Sequence, residues 1–148
     1  MLSVVELKSD FLVTFQGGLE HYDLTREMVH FVSTQYGLSV DDADVIERAT
    51  AEACHNALYH EADETPSFNL ELRFNHSQVT AVIRNRGAAF NFDEIEPFNI
   101  HQDFLEYKNG GLGIPIMKAI MDEVRYERKP DNLNEVTLIK YINKSKGD

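Results

Sequence analysis

The chain has 148 residues, which favours one domain with one core, and its 43% hydrophobic content is ordinary for a soluble globular protein. A formal net charge of −11 argues against nucleic-acid binding, which is led by phosphate neutralisation, but leaves nucleotide binding open because that needs only local donors. No apolar run approaches the ~20 residues that cross a bilayer, no basic stretch and apolar core mark a signal peptide at the N-terminus, and the single cysteine, Cys54, excludes an internal disulfide, so a cytoplasmic location is expected.

In chain order, Phe11-Leu-Val-Thr-Phe15 predicts a strand, ended by Gly17 and Gly18. A helix is expected over about 23–35, with Leu24, Met28, Phe31 and Val32 forming its apolar stripe and Gly37 its C-terminal cap. Ser39 reads as the N-cap of a second helix over about 40–62, with Asp42 at the capping-box position. Two alternating runs follow: Phe68, Leu70, Leu72 and Phe74, then Val79, Ala81 and Ile83, joined by the turn Asn75-His76-Ser77. They predict an antiparallel hairpin with one buried face. From about 88 to 110 no element stands out, and a segment of that length in a small domain reads as a lid. A third helix is expected from Pro115 to Val124, then a strand over 125–128, a turn over 130–134 and a closing strand over 135–142. Helices and antiparallel strands in this order give an α+β fold: a two-layer sandwich in a single domain spanning 1–148.

Two stretches carry chemistry. In the second helix Glu52, Asn56 and His60 fall at i, i+4 and i+8, on one face. Ile46, Ala49, Ala53, Ala57 and Leu58 surround them, so the helix is expected to be largely buried, and a buried acid needs a partner or a task. A carboxylate beside a carboxamide can position a water and hold one edge of a magnesium site, since magnesium takes oxygen ligands. The same spacing also describes a solvated stripe on a surface helix. Cys54, inside this helix, reads as a small core residue rather than a reactive thiol. The second stretch is Asn109-Gly110-Gly111-Leu112-Gly113-Ile114, just ahead of a helix. Backbone N–H groups there can cradle phosphate at a positive helix end, although glycines also serve as plain turns.

Together these residues resemble the small anti-sigma-factor serine/threonine kinases of the GHKL ATPase superfamily. Three boxes match in order: Glu52-x-x-x-Asn56-x-x-x-His60, then Asn85-Arg86-Gly87-Ala88-Ala89, then Gly110-Gly111-Leu112-Gly113-Ile114 running into the helix with Met121-Asp-Glu-Val124. The resemblance covers roughly 10–143. It implies the GHKL (Bergerat) sandwich, an antiparallel-rich sheet with three helices on one face, and an ATP lid at about 88–110. It implies ATP and Mg²⁺ as cofactors, with Glu52 as the general base and Asn56 as the magnesium ligand. Gly87 and Ala89 match the turn beside adenine, and Gly110, Gly111, Leu112 and Gly113 the backbone donors to phosphate. Thr137 lies near the family's last nucleotide-side threonine. His60 ends the first box, as a nucleotide contact or a structural histidine. Lys108 is the nearest cation to the phosphates, or a solvated lysine at the lid edge.

The sequence departs from the family at Asn85, where the family has the aspartate that reads adenine. An asparagine oxygen still accepts a hydrogen bond, but a neutral one. Returning an acid to position 85 is therefore expected to tighten adenine nucleotides. The implied activity is phosphorylation of a serine or threonine on a small STAS-like anti-sigma-factor antagonist in a partner-switching pathway. A sigma factor or other output protein is the second partner, and pairing with a second copy is compatible with the family. The alternative is a module of the same fold that acts by protein contact alone.

Overall fold

The computed structural model describes residues 9–16, 22–59, 67–89 and 113–142. Its elements are β1 (Ser9–Gln16), α1 (Tyr22–Gln35), α2 (Val40–Tyr59), β2 (Ser67–Phe74), β3 (Gln78–Arg86), α3 (Gly113–Ile120), β4 (Glu123–Lys129) and β5 (Leu133–Tyr141). The strands form one open five-stranded sheet in the order β1-β2-β3-β5-β4, and every neighbouring pair is antiparallel. The result is the α+β sandwich that the order of elements predicted.

Alternation builds the inner face. Phe68, Leu70, Leu72 and Phe74 of β2, Val79, Ala81 and Ile83 of β3, and Val136 and Leu138 of β5 are buried in one cluster. The β2–β3 turn is set by Asn75, whose Oδ1 accepts from the backbone N–H groups of Ser77 and Gln78, both at 2.9 Å.

α2 lies across β2, β3 and β5, with α1 and α3 packed against it. Its contact face is small: Ala43, Ala49, Ala53 and Ala57 are buried beside Ile46. Small side chains let a helix sit close to a sheet, and enlarging one of them would overpack the core at about 1–3 kcal/mol. The helix begins where Ser39 caps it, accepting from the Asp42 N–H at 3.1 Å. The connection from α1 is a Schellman turn: Gly37 has φ 95°, and the N–H groups of Gly37 and Leu38 donate to the carbonyls of Thr34 and Ser33. Arg26 and His30 of α1 reach Glu47 and Asp44 of α2 at 3.3 and 3.4 Å.

Two expectations shift in the structure. On α1 the buried residues are Thr25, Val29, Val32 and Ser33, while Leu24 and Phe31 are 52% and 63% exposed. The two stripes have the same helical spacing and differ by one residue of rotation, which periodicity alone does not resolve. α3 ends at Ile120, short of Val124. After the Met121 N–H bonds to the Met117 carbonyl, the Asp122 N–H turns to the Ile139 carbonyl of β5. Val124 then pairs with Leu138, so its apolar character belongs to a strand alternation with Tyr126.

The outer face of the sheet carries a row of ion pairs across four strands. Glu71 of β2 holds Arg73 at 2.6 Å and Arg84 of β3 at 3.1 Å; Arg84 holds Glu135 of β5 at 2.7 Å; Glu135 holds Lys129 of β4 at 3.2 Å. Partial burial works against the charge on Glu71 and Glu135. Hydrogen bonds from their basic partners outweigh it, so both carboxyls lie below the usual carboxylate range.

Candidate functional site

The first box lies in the second half of α2. Glu52 is buried at 7% exposure, and Asn56, one turn on, is half-buried. The Nδ2 of Asn56 is buried and has no acceptor among the described residues. Its amide is thus not held by a hydrogen bond from nitrogen, and a turn about χ2 brings oxygen to the same place. A hard oxygen donor one turn from a carboxylate fits a magnesium ion. Cys54 is fully enclosed, and burial pushes its thiol well above the ordinary range, which suits a core residue and not a nucleophile.

The second box meets the first directly. Asn85, near the end of β3, points to the helix side and is 4% exposed. Its Nδ2 donates to the Ala57 carbonyl of α2 at 3.1 Å, with the Arg86 carbonyl at 3.5 Å. Both acceptors face the nitrogen, so the amide is oriented and Oδ1 remains as an acceptor. Gly87 is buried and its N–H donates to the Asn132 carbonyl at 3.0 Å; Ala88 and Ala89 are exposed. Of the third box the structure describes Gly113, the first residue of α3, a helix packed against α2 with Pro115 in its first turn. His60, Lys108, Gly110, Gly111 and Leu112 lie outside the described residues, as does the expected lid beyond Ala89.

Thr137 is not with these residues. It pairs with Val82 between Glu135 and Ile139, on the outer face with the ion pairs. The side chain that faces the site from β5 is Asn134, directly opposite Asn85 in the register and fully buried. Its Oδ1 accepts from the Tyr126 hydroxyl at 2.6 Å and from Arg128 Nη1 at 3.0 Å, and its Nδ2 donates to the Ala88 carbonyl at 2.9 Å. Sequence reading missed this group because Asn-Leu-Asn in front of a strand reads as a turn. Counting back by two from Leu138 and Val136 finds it: an amide at an inward position of an apolar strand face.

The arrangement therefore joins a buried acid and an amide on α2 to an oriented acceptor at the end of β3. Over most of its length the chain is similar to known proteins. The model of the histidine kinase-like ATPase domain matches residues 15–140. The chain is 26% identical to the serine-protein kinase RsbW of Bacillus subtilis, over 87% of this chain and 83% of that protein. It is 25% identical to the serine-protein kinase RsbW of Staphylococcus aureus, over 95% and 92%. It is 27% identical to that of Staphylococcus epidermidis, over 84% and 82%. The chain belongs to the histidine kinase-like ATPase family, and within it to the RsbW-like members.

Proposed function

We propose that this protein binds ATP with magnesium and transfers the γ-phosphoryl group to a serine or threonine of a small antagonist protein. In the same reading it holds a sigma factor or other output protein by partner switching. The observation that carries the proposal is the hydrogen bond from Asn85 to the Ala57 carbonyl, which ties the second box to the helix of the first. The names of the relatives, serine-protein kinases, support the class of reaction.

Each residue has a part in this reading. Glu52, buried to 7% exposure on α2, takes the proton of the incoming hydroxyl. Asn56 supplies a neutral oxygen ligand to the metal. Asn85 accepts from the exocyclic amine of adenine through Oδ1, while Gly87 and Ala89 line the base. Gly110, Gly111, Leu112 and Gly113 donate backbone N–H groups to the phosphates. Bound magnesium supplies charge neutralisation at the transferring group.

The contact-only alternative rests on the missing aspartate at position 85. The geometry weakens that support, because the amide nitrogen is engaged and the acceptor is kept. Calorimetric titration of ADP separates the two readings. Binding in the presence of magnesium, weakened by a chelator, is expected for the wild type. Asn56→Ala is expected to bind ADP with little response to the chelator. Absence of heat at millimolar ADP would leave the contact-only module.

A further inference from the structure

We propose that Asn134 and Arg128, outside all three boxes, are positioning residues that hold the backbone of Gly87 and Ala88 from the β4–β5 hairpin. Their role deepens the nucleotide-binding reading and rests on it. The segment they hold begins two residues after Asn85, the proposed reader of the base.

The hold is made of several bonds that converge on two peptide groups. Arg128 Nη1 donates to the Gly87 carbonyl at 2.6 Å and to Asn134 Oδ1 at 3.0 Å. Its Nη2 donates to Asn132 Oδ1 at 3.0 Å. The Asn132 carbonyl in turn accepts from the Gly87 N–H at 3.0 Å. Asn134 Nδ2 takes the next carbonyl, that of Ala88, at 2.9 Å. Arg86 Nη1 adds a bond to the Asp131 carbonyl at 2.8 Å. The hairpin turn is shaped for this: Asp131 and Asn132 have φ 65° and 60°, the left-handed region that short polar residues tolerate.

The amide of Asn134 has one possible orientation. Two donors, the Tyr126 hydroxyl and the Arg128 guanidinium, point at its Oδ1, so Nδ2 must face Ala88. A side chain locked in this way, fully buried and opposite Asn85, transmits the position of the hairpin to the segment beside the base. Arg128 itself is exposed, and its partners are polar groups: the Gly87 carbonyl, the side chain of Asn132 in the turn and that of Asn134 on β5. Its removal should therefore disturb the segment more than the global fold.

The test uses the full chain with Arg128→Met, and Arg125→Met as a control that removes the same charge from the outer face of β4. Three quantities are read: ADP affinity with magnesium, amide exchange at Gly87, and the urea midpoint. Arg128→Met is expected to weaken ADP about tenfold, in line with losing a charged hydrogen bond, and to speed Gly87 exchange by a similar factor. Its urea midpoint should stay close to that of the control. Tyr126→Phe removes one of the two donors to Asn134 and should move affinity and exchange the same way, by less. Arg128→Met with the ADP affinity of the control would overturn the proposal, as would unchanged Gly87 exchange. The exchange measurement needs no nucleotide. A wild type that binds no ADP therefore sinks the nucleotide reading, while exchange still reports whether the hairpin holds the segment.

Discussion

Asn85 donates its side-chain amide to the backbone carbonyl of Ala57, 3.1 Å away across the α2–β3 contact. This reverses the expectation for an acid at that position. In Asn85→Asp a carboxylate oxygen would replace the nitrogen and face two carbonyl oxygens, those of Ala57 and Arg86. The bond is lost and like partial charges are buried together, which costs about 1–3 kcal/mol. We expect a lower urea midpoint and weaker, not tighter, ADP binding. A variant with wild-type stability would show that the amide is not held from its nitrogen.

Glu52 is assigned the proton of the attacking hydroxyl. Glu52→Ala should keep ADP affinity within about threefold, because the acid does not hold the nucleotide. Phosphoryl transfer to the antagonist protein should fall by about 10²-fold or more, the contribution typical of a general base. Binding and single-turnover transfer are measured on the same preparation. Undiminished transfer would move the base elsewhere.

The ion pairs on the outer face give the fold a pH dependence with a defined sign. Glu71 and Glu135 have folded pKa values lowered relative to the unfolded chain. Their contribution is therefore fully present above the ordinary carboxylate pKa, about 4.3 for glutamate, and is lost as pH falls through the lower folded values. Arg84 bonds to both carboxylates. Arg84→Met should lower stability near neutral pH and flatten its decline on the acid side. Urea midpoints measured across the acid range test this. Equal acid slopes in wild type and variant would count against it.

The parts of this molecule written as one-dimensional patterns were legible in its sequence. The alternation of Phe68 to Phe74 and Val79 to Ile83 gave the hairpin, and the alanines of α2 marked its buried face. Ser39 and Gly37 fixed the α1–α2 connection, because each cap has a specific chemistry. Where two patterns share a period, the sequence left a choice. The outward stripe of Leu24 and Phe31 and the inward one of Val29 and Val32 are equally helical, and Val124 fits a helix or a strand. Asn134 was hidden for another reason. Its importance lies in pairing with Asn85 and in bonds to Tyr126, Arg128 and Ala88, and strand register appears only when β3 and β5 are laid side by side.

α2 is the main beam of the sandwich as well as the carrier of Glu52 and Asn56. Changes on its buried face, at Ala43, Ile46, Ala49, Ala53 or Ala57, would unsettle the sandwich itself. In the proposed reading, silencing transfer while sparing the shape falls to Glu52 and Asn56 in the second half of that beam. On that reading, a descendant that kept docking and gave up transfer would look almost unaltered, with exchanges at 52 and 56 as its first marks.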